Sequence, residues 1–189
     1  MKKIVILTST RAEYGLLAPI IKKMSKNSQI DVCVVATGTH LSPEFGMTVN
    51  EIKKDGIKVD KEIDILLSSD TPVAISKTMG LAMIGFGDYF AECKPDALMV
   101  LGDRYETLAV CIAAMNARIP IIHLHGGEAT EGLVDEAVRN AITKLSYLHF
   151  TSAEEYRNRV IQMGEAPERV FAVGAMGVEN ALHMKRLSK

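Results

Sequence analysis

The sequence predicts an α/β fold: a doubly wound parallel sheet of about seven strands with helices on both faces. Two observations lead to this prediction. Short apolar runs rich in β-branched residues alternate with segments of helical spacing about seven times along the 189 residues, and this order is typical of parallel sheets covered by helices. Several of these runs also end in polar clusters, at the strand ends where open α/β sheets bind ligands.

The composition narrows the class of protein. Hydrophobic residues make up 48% of the chain, enough for one sizeable core, and the net charge is −1 with interspersed signs. The chain therefore lacks the basic stripe of a nucleic-acid binder. No apolar run is long enough to span a bilayer, so we expect no membrane partner. The three cysteines include no CxxC pair, which predicts a reducing, cytoplasmic location without a metal or disulfide framework.

The first half of the chain begins with a strand at Lys3–Thr8, a continuous apolar run as expected of a buried parallel strand. A helix is predicted at Tyr14–Met24, where Pro19 either delays the start of the helix or bends it. Three further elements follow in order: a strand at Ile30–Ala36, a short helix at Val49–Lys54 and a sheet-edge strand within Ile57–Ile65.

A long helix comes next. Thr71 is a good N-cap, Pro72 a good first helical residue, and the helix is predicted to run to about Cys93. Its apolar residues occupy nearly the whole circumference, which indicates burial on more than one side. We therefore expect a homo-oligomer that forms through the Thr71–Cys93 helix. The alternative is burial of this helix under a neighbouring domain.

The centre of the chain predicts a βαβ unit. Apolar runs at Ala97–Leu101 and Ile119–Leu124 flank a segment of helical pattern, and parallel strands need such a crossover. The remaining elements follow in order: a helix at Gly132–Leu145, a strand at Tyr147–Thr151, a helix at Ala153–Met163 with a capping box that starts at Ser152, a strand at Val170–Val173 and a helix at Gly177–Leu187.

Acidic residues follow both central strands. Asp103 comes directly after the first strand, Glu128 after the second, and Asp135 lies in the helix that follows. Because the carboxyl ends of parallel strands share one edge of the sheet, these three acids are expected to converge on one cleft. In the alternative interpretation they are solvated loop acids and caps, and Asp135 forms a helix-surface ion pair with Arg139, four residues later.

Two earlier loops carry further candidates for ligand binding. Arg11 lies between a strand end and a helix start, where backbone N–H groups favour anions and a guanidinium can grip a phosphate. The alternative is an ion pair with Glu13. His40 follows the second strand, either as a substrate contact or as a solvated loop histidine.

Common catalytic and nucleotide-binding motifs are absent from the sequence. It contains neither GxGxxG after the first strand nor GxxxxGK[ST], which argues against the usual dinucleotide and P-loop NTPase classes. HExxH and GxSxG are also missing, so the metalloprotease and α/β-hydrolase classes lack support.

Four motifs are similar to those of a known family: TRAEYG at Thr10–Gly15, GDR at Gly102–Arg104, HLHGGE at His123–Glu128 and DEAVRNAITKL at Asp135–Leu145. The chain resembles the hydrolysing UDP-N-acetylglucosamine 2-epimerases of sialic- and legionaminic-acid-type sugar synthesis. The resemblance covers the whole chain. Non-hydrolysing relatives typically carry proline where this chain has Ala12, so the alanine favours the hydrolysing branch.

The resemblance implies a fold and a reaction. Family members are similar to GT-B glycosyltransferases, with two Rossmann-like halves and the active site between them. They convert UDP-GlcNAc and water to N-acetylmannosamine and UDP, through elimination of UDP to a glycal and then hydration. This chemistry needs acids and bases but no metal or organic cofactor. The family chain is about twice as long, so residues 1–189 are expected to be a single Rossmann-like N-terminal domain that lacks the second, nucleotide-binding half.

The resemblance also assigns site residues. Asp103 and Asp135 match catalytic acids of the family. The third acid position is divided between Glu128, which matches a nearby family acid, and His125, which stands where some relatives carry glutamate. The resemblance places Arg11 against the diphosphate. His40 and Arg104 complete the expected substrate-binding residues.

Three alternatives stay open at this level. A close variant of the family acts on UDP-diacetylbacillosamine, and the residues that distinguish the two sugars are not identifiable from the sequence. The same fold also occurs as the acceptor-side half of GT-B glycosyltransferases. A non-enzymatic binding or oligomerisation module is the third alternative.

Overall fold

Seven parallel strands form one sheet, as the sequence predicted. The structure, a computed structural model, describes residues 1–130 and 134–183. The strands are β1 (Lys2–Thr8), β2 (Ile30–Thr37), β3 (Lys61–Ile63), β4 (Ala97–Leu101), β5 (Ile121–Leu124), β6 (Leu148–Thr151) and β7 (Val170–Ala172). Their order across the sheet is β3-β2-β1-β4-β5-β6-β7, and every pairing is parallel.

Helices cover both faces of this sheet. They are α1 (Arg11–Met24), α2 (Val49–Lys54), α3 (Pro72–Cys93), α4 (Tyr105–Asn116), α5 (Val134–Leu145), α6 (Glu154–Gln162) and α7 (Met176–His183). One hydrophobic cluster packs α1 and α2 against one face, and a second packs α3, α4 and α5 against the other. Because side chains alternate along a strand, each central strand contributes to both clusters. The sheet is therefore doubly wound.

Helix α1 begins earlier than its apolar pattern indicated. The N-cap is Thr10, whose hydroxyl accepts the backbone N–H of Glu13 at 3.3 Å, while the Glu13 carboxylate accepts the N–H of Thr10 at 3.2 Å. This reciprocal capping box satisfies two donors at the helix start. Pro19 lies inside the helix, so it does not delay the start. The capping box starts the helix at Arg11, and the period of the apolar residues alone does not predict this start.

Other predicted boundaries also differ from the structure. Strand β3 is shorter than the predicted segment and lies at the sheet edge, as its alternating pattern indicated. Helix α3 begins as predicted, with Thr71 as N-cap and Pro72 in the first turn. The predicted capping box at Ser152 is wrong, because the N-cap of α6 is Ala153 and has no side-chain cap bond. The predicted starts of α5 at Gly132 and end of α7 at Leu187 fall outside the described residues.

The strand order determines where a ligand can bind. The chain moves outward from β1 through β2 to β3, then returns across the sheet to β4 on the other side of β1. The loops after β1 and β4 therefore leave the sheet edge in opposite directions and open a crevice, the usual ligand site of such folds. Within residues 1–130 and 134–183, no helix has the length and apolar character needed to cross a membrane.

Candidate functional site

An open cleft of about 300 Å³ lies at the crevice between the ends of β1 and β4 and extends to the end of β5. It is formed by the loops after these three strands together with helices α1 and α5. Its lining residues are Thr10, Ala12, Glu13, Leu16, Leu101, Gly102, Asp103, Arg104, His125, Glu128 and Arg139. Of the three acids expected to converge, Asp103 and Glu128 line this cleft and Asp135 does not, while Arg104 and His125 line it as well.

Asp103 is held by a buried arginine. Its side chain is 26% exposed, and one carboxylate oxygen pairs with a terminal nitrogen of Arg139, whose side chain is only 6% exposed. Arg139 comes from α5, a different element from the turn that carries Asp103. The pair therefore connects the loop after β4 to a helix 36 residues later in the sequence.

Arg139 organises several groups around the cleft. Its guanidinium also donates to the backbone oxygen of Glu128 at 2.8 Å, to the Thr130 hydroxyl at 3.0 Å and to the Glu136 carboxylate at 3.1 Å. A buried guanidinium needs such partners because desolvation of an unpaired charge is costly. The alternative pairing with Asp135 is not found among the described residues. Sequence spacing suggested that partner, and no local signal in the sequence pointed to Asp103.

Glu128 lies at the centre of a second polar group. Its Oε1 accepts a hydrogen bond from the Ser152 hydroxyl at 2.6 Å and lies 3.4 Å from Nδ1 of His125. Ser152 is therefore used by the site rather than by the helix that follows it. The Glu128 side chain is 35% exposed, so its carboxylate faces both the cleft and these partners.

His125 has a neutral imidazole at pH 7. Burial lowers its pKa, and the nearby Glu128 carboxylate opposes this shift without reversing it. Its backbone is left-handed, with φ of 64°, an uncommon conformation for a side-chain-bearing residue. Its Nε2 is buried and has no hydrogen-bond partner within the described part of the chain. A neutral imidazole beside a carboxylate can exchange protons with a bound substrate.

A third polar group includes Arg104, Glu106 and Glu13. The Arg104 guanidinium pairs with Glu106, whose side chain is 3% exposed. Glu13 accepts the N–H of Ser9 at 2.8 Å and the Ser9 hydroxyl at 2.9 Å. Burial raises the pKa of Glu13 against these hydrogen bonds, with a further contribution from the Glu106 charge. Sequence reasoning treated Glu13 only as a partner for Arg11 and gave Glu106 no role.

Arg11 and His40 lie elsewhere. Arg11 is exposed in the first turn of α1 and pairs with Glu51 at 2.7 Å, not with Glu13. His40 is fully buried, so it is not a solvated loop residue. Its Nε2 lies 2.9 Å from the Thr8 hydroxyl and its Nδ1 2.7 Å from the Thr48 hydroxyl. Both ring nitrogens are thus engaged beneath the surface, and the expected substrate contact of His40 stays a prediction.

Asp135 is exposed in the first turn of α5 and does not line the cleft in the described structure. It precedes Arg139 by one helical turn, so the two residues share a face of the helix. Its catalytic role stays a prediction. Among residues 1–130 and 134–183, no cluster of three or more His, Cys, Asp or Glu side chains is arranged to hold a metal ion.

Comparison with known families gives a match over most of the chain. A family model described as UDP-N-acetylglucosamine 2-epimerase matches residues 22–189. The match includes the turn with Asp103, the His125–Glu128 loop and helix α5, that is, most of the cleft.

Curated relatives match nearly the whole chain. A Campylobacter jejuni protein named GDP/UDP-N,N'-diacetylbacillosamine 2-epimerase (hydrolyzing) is 42% identical over 100% of this chain and 49% of its own length. An Escherichia coli protein named Polysialic acid biosynthesis protein P7 is 43% identical over 97% of this chain and 47% of its own. A Neisseria meningitidis UDP-N-acetylglucosamine 2-epimerase is 28% identical over 93% and 45%. The chain spans about half the length of these relatives.

Solved structures share the fold. The crystal structure of UDP-GlcNAc 2-epimerase from Neisseria meningitidis, bound to UDP-GlcNAc, aligns with a TM-score of 0.83 and 25% identity over 96% of this chain and 49% of that one. Another UDP-N-acetylglucosamine 2-epimerase aligns with a TM-score of 0.87 over 100% of this chain and 52% of that one, at 21% identity. The described fold is that of one half of these GT-B-like proteins.

Proposed function

Because the chain belongs to the UDP-N-acetylglucosamine 2-epimerase family, we propose that it forms the N-terminal catalytic half of a hydrolysing UDP-sugar 2-epimerase. The observation that carries this proposal is that Asp103 and Glu128 line one cleft. Both accept hydrogen bonds from the buried Arg139, Asp103 through its carboxylate and Glu128 through its backbone oxygen. Two carboxylates and a neutral imidazole around one cleft provide the acid and base groups that epimerisation at C2 requires.

The reaction has two halves. A base removes the C2 proton while the bond from C1 to the diphosphate breaks and its electron pair leaves with UDP, which gives a glycal. Water then adds across the double bond, with hydroxyl at C1 and a proton at C2 from the opposite face. The product of UDP-GlcNAc is N-acetylmannosamine. Elimination therefore needs a proton acceptor on one face of C2, and hydration needs a proton donor on the opposite face.

Two groups of side chains in the cleft fit these needs. Asp103 is a carboxylate whose position is held by Arg139, a suitable base for the C2 proton. Glu128 lies beside His125 and receives the Ser152 hydroxyl, so this pair can hold and return a proton during hydration. Neighbouring titratable groups in unlike environments commonly divide such roles.

Asp135 is kept as the third acid of the proposal. It is exposed at the start of α5, on the helix face that also carries Arg139. A sugar bound above the guanidinium would lie next to it.

The diphosphate is assigned to Arg11 and Arg104. Arg11 does not line the cleft but follows Thr10, which does, and its ion pair with Glu51 is largely solvated, with side-chain exposures of 71% and 46%. Such exposed pairs contribute only about 0–1 kcal/mol, so a phosphate can replace the glutamate. Arg104 lines the cleft itself. His40 contributes by supporting the loop after β2 between two threonines.

Two sugars are candidates for the substrate. UDP-GlcNAc is the first, supported by the family description and by the ligand of the Neisseria structure. UDP-N,N'-diacetylbacillosamine is the second, because relatives named for it are 42% identical, against 28% for the Neisseria UDP-GlcNAc enzyme. A link to sialic-acid-type synthesis rests on the 43% identical polysialic acid biosynthesis protein.

The cleft of this half is expected to need a second half. Relatives extend to about twice the aligned length, and we propose that a second half, corresponding to the rest of these relatives, supplies the uridine pocket. The 189-residue chain alone should therefore fold but turn over poorly. Joined to the second half of the Campylobacter relative, it should release UDP and a free 2-acetamido sugar together from one of the two substrates. Release of UDP with the sugar transferred to an acceptor would instead indicate a glycosyltransferase.

Replacing Asp103 tests the site directly. In the joined protein, Asp103→Asn is expected to lower kcat by about 10²-fold or more, because it removes a base while the amide keeps the shape. The matched control is Asp96→Asn at the opposite end of β4, where the carboxylate pairs with Lys2 on the surface. UDP release is measured beside far-UV circular dichroism. Equal rates for Asp103→Asn and the parent would remove Asp103 from the mechanism.

We also propose a cytoplasmic homo-oligomer. Helix α3 exposes Val73, Leu81 and Ile84 at 63%, 42% and 66%, and these residues fall within one face of the helix at 100° per residue. Such a row of large apolar side chains is typical of a subunit interface. The three free cysteines suit a reducing compartment.

A further inference from the structure

His123 is a buried polar residue beneath the candidate cleft, to which the proposed chemistry assigns no role. It lies in β5 between Val100 of β4 and His149 of β6, and its exposed surface is 0%. An imidazole in such a position must have its ring nitrogens satisfied, because an unpaired buried polar group is costly. Its partners therefore indicate what it holds in place.

One ring nitrogen reaches the turn that presents Asp103. Nε2 of His123 lies 2.8 Å from the backbone oxygen of Gly102. A carbonyl oxygen only accepts hydrogen bonds, so Nε2 must carry a proton. Burial lowers the pKa of His123 to about 4, and the ring is therefore neutral at pH 7. A neutral ring has one proton, so Nδ1 is an acceptor.

The other nitrogen reaches helix α5. Nδ1 lies 3.3 Å from the Thr143 hydroxyl, which can donate to it. The backbone oxygen of Arg139, 2.9 Å from the same hydroxyl, is a second acceptor for its single proton. The Arg139 guanidinium in turn pairs with Asp103. A closed ring of contacts thus runs from Asp103 through Gly102, His123, Thr143 and Arg139 back to Asp103.

The glycine after His125 makes room for this imidazole. A Cβ atom at Gly126 would lie 2.9 Å from Nδ1 of His123 and 3.1 Å from the Thr143 hydroxyl. Both distances are too short for ordinary packing, so a side chain at position 126 would displace the ring or the hydroxyl. Gly126 therefore belongs to the same arrangement.

We propose that His123 is a positioning residue, which sets the distance between Asp103 and Arg139 through its bonds to Gly102 and Thr143. The proposal rests on the proposed function in one respect, that Asp103 acts on substrate. A displacement of a catalytic group by about 1 Å can lower rates by about 10²-fold, so a ring that holds the turn in place affects kcat without touching the sugar.

The first test uses the 189-residue chain and does not depend on activity. Ring ¹⁵N shifts of His123 should report a protonated Nε2 and an unprotonated Nδ1 at pH 7. The ¹³C shift of the Asp103 carboxyl carbon should move in His123→Leu and stay near the parent value in His123→Gln, whose amide can still donate to Gly102. The matched control is His149→Leu, which replaces a fully buried histidine in the neighbouring strand β6. This variant should leave the Asp103 signal unchanged.

The second test measures rates in the chain joined to the relative's second half. His123→Leu should lower kcat by about 10- to 100-fold with KM changed less than about twofold, and His123→Gln should restore most of the rate. Should His123→Leu not fold, Thr143→Val removes the hydroxyl that contacts both Nδ1 and the Arg139 backbone oxygen, and it should move the Asp103 signal in the same direction.

Several results would overturn the proposal. They are a protonated Nδ1, an Asp103 signal that moves in none of the folded variants, or one that moves equally in His149→Leu. Failure of the epimerase proposal would be distinguishable. In that case the joined protein with the parent sequence would show no turnover, but the nuclear magnetic resonance shifts would still behave as expected.

Discussion

Lowering the pH from 7 to 5 is expected to destabilise this chain, because His40 and His123 are fully buried in the neutral form. His40 lies between two threonine hydroxyls, and His123 lies between a backbone oxygen and a third threonine. Burial lowers the pKa of each from the ordinary 6.5 to about 4. At pH 5 both rings are therefore still neutral in the folded chain.

The sign and size of the effect follow from proton linkage. Below about pH 6.5 the unfolded chain binds a proton at each histidine, whereas the folded chain does so only near pH 4. The free energy of unfolding therefore falls as the pH drops through this window and is insensitive to these groups above it. Each histidine accounts for about 2 kcal/mol between pH 7 and pH 5. Together they remove about 4 kcal/mol, a large share of a typical stability of roughly 5–15 kcal/mol.

Urea unfolding followed by circular dichroism at the two pH values measures this loss. The variants His40→Gln and His123→Gln should each reduce the pH-dependent loss by about 2 kcal/mol, and the double variant by about 4 kcal/mol. Lys22→Gln is the control, because it makes a matched change to glutamine at an exposed surface position. Burial also lowers the pKa of His125 and His149, so some pH dependence should remain. An unchanged pH-dependent loss in the double variant would refute the reasoning.

Three further changes have expected outcomes. Arg139→Met should lower the free energy of unfolding by about 2 kcal/mol in urea, because partly buried acceptors around the cleft lose their donor. Gly127→Ala should cost about 2 kcal/mol or more, because φ is 80° and the new Cβ would lie 2.5 Å from a backbone oxygen of α6. Ile84→Glu should convert the proposed oligomer to monomer in light scattering, because it places a charge on the exposed apolar face of α3.

Each of these has a control and a contrary outcome. Lys22→Met tests the effect of losing a surface cation, and equal losses would contradict a special role for Arg139. Gly15→Ala lies in helix α1 with open space around its Cβ, so it should be neutral or stabilising by up to about 1 kcal/mol. A similar loss there would refute the steric argument at Gly127. Glu92→Lys, exposed in the same helix, should leave the oligomer intact, and an unchanged mass for Ile84→Glu would exclude this face.

The sequence by itself determined the architecture and the family. Alternating apolar runs predicted a seven-stranded parallel sheet, and Thr71 with Pro72 predicted the start of the longest helix. These features are local: the period of the apolar pattern and the chemistry of a cap depend on residues within a turn or two. The motifs around Asp103 and His125 indicated the family because they are short contiguous runs that do not require the fold to be known.

Only the tertiary structure decided which side chains meet. Arg139 pairs with Asp103, 36 residues away, rather than with Asp135 four residues away, and Ser152 bonds to Glu128 rather than capping its own helix. His40, expected at the surface or the substrate, lies fully buried. These outcomes depend on the return of the chain from β3 to β4 beside β1, which sets the direction and depth of every loop at the cleft. That crossing is a property of the packed sheet, and it cannot be predicted from the local period of the apolar residues.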